Sequence, residues 1–307
     1  MAHEPKMQHF ETLFQMMAAF PDEQSAIDHF TAIRWADSAY CPLCGSTRVY
    51  HFSDKRTHKC GDCRKRFSIK VGTIFEDSKI ELRKWMMAIW LITSHKKGIA
   101  STSLAKDLGV TQKTAWFMLH RLRHAIRTQS FNKPLDGEVE IDETYVGGKA
   151  ANRHKGDPKN GPGTSGKTPV IGAMERGGNV VATVIDRAST DNLDAFAHAV
   201  ITPGAKVSTD EHAGYRHLGR TFEHGVVRHS PGEYSRDGIH TNGIEGYWAL
   251  LKRQIVGIHH FVTPKHLNRY VNESAWRFNL RNAGEGERVN ALLAETNGRL
   301  RYKELIA

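Results

Sequence analysis

The stretch EVEIDETYV, residues 138–146, alternates apolar and polar side chains before breaking into Gly147-Gly148. A period of two belongs to a strand, and it sends Val139 and Ile141 to one face and Asp142 to the other. The residues that follow have the same texture. PVIGAMERGGNVVATVID (169–186) reads as a β-hairpin about Gly177-Gly178-Asn179, and TDNLDAFAHAVI (190–201) as a helix capped by Thr190 or Asp191. AKVSTD (205–210) reads as a short strand that runs out at Asp210, and GVVRH (225–229) as another. Helices close the region, from Asn242 to about Val256 and from Pro264 to Leu280. Strands first, then strand alternating with helix, predict a mixed sheet with helices on both faces. Lys149 to Thr168 is a glycine-rich, basic loop without periodicity.

Both aspartates fall at or near strand ends, where α/β proteins place their ligand sites. The helix in HTNGIEGYWALLKRQ (240–254) supplies a third acid. At about 100° per residue, Ile244, Tyr247, Trp248, Leu251 and Ile255 form its buried arc, with Glu245 and Lys252 within about 20° of one another on the flank. The two are roughly 10 Å apart along the axis. Asp142, Asp210 and Glu245 together suit phosphoryl transfer, because carboxylates can hold a pair of Mg²⁺ ions on either side of a scissile phosphate. Lys252 would hold a neighbouring phosphate as a point charge. Glu143 and Glu211 are alternatives for metal support, but alternation points each away from its neighbouring aspartate. Among His212, His217, His240, His259 and His260, His240 reads as a site-edge residue and the others as polar or phosphate-facing.

Upstream, Cys41, Cys44, Cys60 and Cys63 are the only cysteines, spaced C-x2-C-x15-C-x2-C. Thiolates at that spacing can close a tetrahedral Zn²⁺ site from two knuckles, with Gly45 and Gly61 allowing the tight turns. His51 and His58 lie inside the window and read as surface residues, since four thiolates complete the site. Trp35 is available to pack on this module. From Leu82 the period becomes helical, with Leu82, Trp85, Met86, Ile89 and Trp90 on one stripe. Two helices then flank Leu108-Gly109-Val110, with Thr111 placed to cap the second, which is the helix-turn-helix pattern. Ala115, Met118, Leu119, Leu122 and Ile126 form the inner stripe of the second helix; Lys113, His120, Arg123, His124 and Arg127 take the opposite face. That basic face suits a DNA major groove. Trp116 and Phe117 also lie outward, so the face serves equally for packing against the next domain.

The 307 residues carry a formal charge of +10, which favours a polyanionic partner. The first twenty residues lack the long apolar core of a secretory signal, and no apolar run spans a bilayer, so an intracellular, cytoplasmic protein is expected. The expected organisation is a helical segment (1–40), a zinc ribbon (41–70), a helix-turn-helix region (78–130), a catalytic domain (136–285) and a C-terminal helical tail (286–307).

CPLCG, KCGDCRKRFSIKVGTIFEDSKI, KTAWFMLHRLRHAI, IDETYVGG, TDEHAGY, HTNGIEGYWALLKR and the tail RLRYKELIA resemble, in this order, the zinc-ribbon insertion-sequence transposases with a DDE-type catalytic domain, the ISXO-type group related to Merlin transposons. The resemblance runs from about residue 35 to the end. It implies an RNase H-like fold, with Asp142, Asp210 and Glu245 as the metal-binding triad and Lys252 as the following basic residue. Some members of the group carry asparagine at the third position, where this chain has glutamate. One departure is RWADSAYCP, since the family usually has Pro and Gly before the first knuckle. The expected cofactors are structural Zn²⁺ and two catalytic Mg²⁺ or Mn²⁺ ions. The expected partners are double-stranded DNA, as element ends and target, and further copies of the chain. Lys113, Arg123, Arg127, Lys149, Lys252 and Arg253 are the expected DNA contacts. Two other readings are a zinc-ribbon transcription regulator without catalysis, and an RNase H-like nuclease without end recognition.

Overall fold

The computed structural model describes residues 7–126, 133–148, 161, 163–227 and 239–306, and the chain divides into two compact units, 1–126 with 282–307 and 127–281. In the first unit, α1 (Leu13–Ala19) and α2 (Glu23–Arg34) each begin with a capping box, Thr12 with Gln15 and Asp22 with Ser25. A three-stranded antiparallel sheet follows, β1 (Val49–His51), β2 (Thr57–Cys60) and β3 (Arg66–Ser68). Three helices complete the N-terminal part, α3 (Leu82–Ser94), α4 (Ser101–Leu108) and α5 (Gln112–Ile126).

The start of α3 has no side-chain cap of its own. Its first amides, Leu82 N–H and Arg83 N–H, instead donate to the carboxylate of Glu23 on α2 (2.8 and 2.9 Å), so a residue of another helix satisfies them. Between α4 and α5 the chain turns at Gly109, which takes the left-handed conformation (φ 60°), and Thr111 Oγ1 accepts from Thr114 N–H (3.2 Å) to start α5. The predicted inner stripe of α5 is buried, but so are His120 and Arg123, which the sequence assigns to the outer face. The His120 ring packs at a tilt against Trp116, centroids 3.9 Å apart, and Arg123 is 1% exposed. Arg123 is thus buried rather than offered to DNA, whereas Lys113 is exposed.

The C-terminal segment returns to this unit. Ile74 N–H donates to the Thr296 carbonyl (2.9 Å), and His29 Nε2 lies 2.9 Å from Asn290 Oδ1 on the helix Glu285–Ala294. Residues 286–307, expected as a tail, therefore contribute Val289, Leu292 and Leu293 to the core beside α2 and α3.

In the second unit, β4 (Glu138–Val146), β5 (Thr168–Glu175) and β6 (Val180–Val184) form an antiparallel meander, with Gly177 (φ 72°) in the predicted hairpin. Helix α6 (Thr190–Val200) then crosses to β7 (Lys206–Thr209), which pairs parallel to β4, and β8 (Glu223–Val226) pairs parallel to β7. Ser189, not Thr190 or Asp191, is the N-cap of α6, and β8 starts two residues before the predicted strand. The sheet order is β6-β5-β4-β7-β8. With β5 the one strand opposed to the rest of the central run, this is an RNase H-like mixed sheet. Val139, Ile141 and Val207 pack with α6 on one face. Val170, Met174 and Ala182 pack on the other face with α7 (Asn242–Gln254) and α8 (Pro264–Asn279), so helices cover both sides. The first turn beyond α7, Ile255–His259, widens to a π-helix. No described helix is long and apolar enough to cross a membrane.

Candidate active site

Strand order reverses between β4 and β7, and in open α/β sheets the crevice at the carboxyl ends of such strands is where ligands bind. Glu138 pairs with Lys206 and Glu140 with Ser208, and Asp210, just past β7, is near enough for its charge to act on Asp142. Even-numbered β4 residues face α7. Odd-numbered ones face α6.

Helix α7 docks on β4 through two carboxylates. Glu140, 1% exposed, accepts the Ile244 amide at the helix N-terminus through Oε2 (2.9 Å), while its Oε1 lies 3.1 Å from His240 Nδ1 and 3.5 Å from Arg176 Nε. The helix has no side-chain cap of its own, so Glu140 serves in its place, where the helix dipole favours an anion. Gly243 permits this approach, for a Cβ there would stand 2.8 Å from Glu140 Oε2. One strand residue pair later, Trp248 Nε1–H donates to Asp142 Oδ2 (3.0 Å). Its ring crosses Gly172, the residue opposite Asp142 on β5, where a Cβ would meet the indole at 2.6 Å.

Each of the three acids has one oxygen held by a donor. Trp248 holds Asp142, the His212 amide holds Asp210 Oδ1 (3.0 Å), and Thr241 Oγ1–H holds Glu245 Oε1 (2.9 Å). The acids also act on one another. Burial, then the negative charges of Glu143, Asp210 and Glu245, push the Asp142 carboxyl up to about 7. Glu143 lies on the opposite face, as alternation predicts, where Tyr215 O–H donates to it and His212 stands 3.8 Å away. Burial pushes Glu143 up, against the pull of Tyr215 and His212. Glu211, Glu245, Lys252 and Arg253 are exposed, and Asp210 is half-buried. Arg127 and Lys149 lie outside the described residues.

In the first unit the four cysteine sulfurs all lie within 4.8 Å of one another; Cys41 and Cys63 are 3.8 Å apart, Cys44 and Cys60 3.5 Å. Tetrahedral thiolates at about 2.3 Å from an ion stand roughly 3.8 Å apart, so the donor set fits Zn²⁺. Among the described residues, the four cysteines are the one group that converges to this extent. Of the two knuckles, the first uses Gly45 (φ 76°) as predicted, but the second places Arg64 (φ 62°) at the matching position. Gly61 is needed for a different reason, since a Cβ there would come 3.0 Å from Arg48 Cβ. His58 is not a surface residue. It shares the inward face of β2 with Cys60, packs between Trp35 (4.9 Å) and Phe67 (5.6 Å), and burial followed by the charge of His51 pushes it down to about 4.

Residues 134–279 match the ISXO2-like transposase domain, and residues 21–66 match the transposase zinc-ribbon domain. The chain thus carries a transposase zinc ribbon followed by an ISXO2-like transposase domain. A protein in transposable element ISH50 of Halobacterium salinarum is 28% identical over 268 residues, covering 82% of this chain and 89% of that one. Two solved structures are similar at a distance. The Mos1 strand transfer complex is 13% identical with a TM-score of 0.26, covering 70% of this chain and 79% of its own. A pre-cleavage Mos1 transpososome is 12% identical with a TM-score of 0.23, covering 70% and 80%. Both are too distant to bear on the site, and the fold of this transposase stands on its own strand order.

Sequence reasoning missed Glu140, although it shares the phase of Asp142 in EVEID and so belongs to the same face. It also read Trp248 only as core. Two predictions follow from these contacts. Because the folded Asp142 carboxyl is raised above its ordinary value near 3.8, the stability it leaves intact at low pH is lost as pH rises through about 7. With divalent ions chelated, Asp142→Asn should therefore be more stable than the natural chain above pH 7, by up to about 4 kcal/mol at 1.36 kcal/mol per pKa unit, and equal to it near pH 4; urea melts across that range measure the difference. Glu140→Ala strands the buried Ile244 amide and should lower stability by about 1–3 kcal/mol, read as a lower urea midpoint.

Proposed function

We propose that this transposase binds double-stranded DNA at the terminal inverted repeats of its element, cuts it, and joins the freed 3′-hydroxyl to target DNA. The observation that carries the reading is that Asp142, Asp210 and Glu245 come from three elements, each with one oxygen held by a donor, and that Asp210 and Glu245 add, after burial and Glu143, to raising the Asp142 carboxyl. Such a donor set, all carboxylate oxygens beside an exposed lysine, suits Mg²⁺ or Mn²⁺. When bound, a pair of these ions activates the attacking oxygen and stabilises the leaving oxygen of an in-line displacement.

The chain's own groups do the rest. Trp248, the His212 amide and Thr241 fix one oxygen of each acid, which sets the direction of the second. Lys252, exposed about two turns beyond Glu245, contacts a neighbouring phosphate as a point charge. Arg253 adds to the same basic helix end. In the first unit, Zn²⁺ on Cys41, Cys44, Cys60 and Cys63 holds the ribbon, and Lys113 at the start of α5 lies where recognition helices meet base edges. Arg127 and Lys149 remain expected DNA contacts outside the described residues. The active complex is a homo-oligomer on DNA.

Strand cleavage and joining on a labelled element-end duplex tests the reading. Asp142→Ala and Glu245→Gln should each lower Mg²⁺-dependent cleavage by about 10²-fold or more while gel-shift binding persists; cleavage at the natural rate in either variant refutes the assignment. Lys252→Ala should weaken binding and reduce its logarithmic salt slope by about 1.

A further inference from the structure

Beyond Glu245 the sequence runs from Gly246 to Asn272 without a single acid, while Lys252, Arg253, Lys265 and Arg269 fall within it. The middle of this segment is unusual in its backbone. After the π-helix, Phe261 N–H donates to the His259 carbonyl two residues back (2.7 Å), and His260 between them takes φ 61° and ψ −47°. This is a γ-turn of the rarer, strained hand, in a residue with a Cβ. The His259 ring packs edge-on against the buried Tyr270 of α8 (4.7 Å), which anchors one side of the turn.

What the strained turn presents is apolar and open to solvent. Phe261 is 67% exposed, and Val256 on the π-helix is also 67% exposed. Backbone strain and π-bulges concentrate where a side chain must be aimed for a purpose. Burial of Phe261 in the domain core is not that purpose. Lys252, Arg253, His260 and Lys265 are exposed along the same segment.

We propose that Phe261 is an apolar wedge that stacks against a base step of the DNA held by this domain, with Lys252, Arg253 and Lys265 on the flanking phosphates. Charge selects this occupant over a second copy of the same surface, because two copies of this lysine- and arginine-bearing segment repel whereas a polyanion neutralises them. Apolar side chains set between base steps among phosphate-binding cations are an established way to deform a duplex. The inference deepens the DNA-cutting reading above and rests on it.

The test uses the full-length protein with Ca²⁺ in place of Mg²⁺ and a mixed-sequence duplex in which 2-aminopurine replaces adenine at scattered positions. Binding of the natural chain should raise 2-aminopurine fluorescence as bases unstack. Phe261→Ala should lose that rise and bind with a Kd higher by about fivefold or more, with the salt slope unchanged. Arg253→Gln with Lys265→Gln should reduce the salt slope while keeping the fluorescence rise. Phe261→Trp should restore stacking. An equal fluorescence rise in Phe261→Ala overturns the wedge and leaves the DNA-cutting reading standing, provided the natural chain still cleaves in Mg²⁺. If Phe261→Ala instead disperses an oligomer in sedimentation velocity with the DNA signal unchanged, the surface belongs to a second copy and the wedge is equally overturned. Failure of the natural chain to bind or cut DNA at all would sink the underlying function as well.

Discussion

Three carboxylates from a strand, a strand end and a helix can act on one another only if those elements are locked in register, and in this protein the lock is a buried glutamate. Glu140 takes the first amide of α7 that faces β4, and it does so two residues before Asp142 on the same strand face. The parallel register of β4 with β7, Glu140 opposite Ser208, brings the end of β7 close enough for Asp210 to act on Asp142. Glycine at 172 and 243 removes the Cβ atoms that would hold the helix off the sheet. The same device recurs in the first unit, where Glu23 supplies the cap that α3 lacks. In both places a carboxylate far away in sequence replaces a local cap, so helix position is tied to tertiary structure and not to the adjacent turn.

That device explains which parts of the architecture could be read in the sequence. Period-two alternation located β4 and the face of Asp142, the Gly177-Gly178-Asn179 turn located the hairpin, and the apolar arc of α7 came out as Ile244, Tyr247, Trp248, Leu251 and Ile255. These are local signals, written within a few residues of the feature they specify. The Glu140 to Ile244 contact spans 104 residues, and no local period carries it. The outer face of α5 was misread for a related cause: a long cationic side chain such as Arg123 can lay its stem along apolar surface, so charge alone does not mark exposure. His58 was misread because its burial depends on Trp35, twenty-three residues earlier, closing over the ribbon.

The site's chemistry follows from crowding like charges where water is scarce. A carboxyl raised by burial and then by neighbouring acids destabilises the folded protein once it is ionised, and such arrangements concentrate at functional sites. A ligand carrying positive charge removes the difficulty. The transposase domain match, the RNase H-like strand order and the raised Asp142 carboxyl therefore point in one direction, and the stretch that follows Glu245 in sequence carries Lys252, Arg253, Lys265 and Arg269 and no acid before Glu273.

The most direct test is a ¹³C NMR titration of the Asp142 carboxyl, with and without Mg²⁺. The account predicts a midpoint near 7 in chelator that falls into or below the ordinary carboxylate range when Mg²⁺ is added, as a bound cation favours the ionised form. An ordinary carboxylate midpoint in chelator, or one that Mg²⁺ leaves in place, would contradict it.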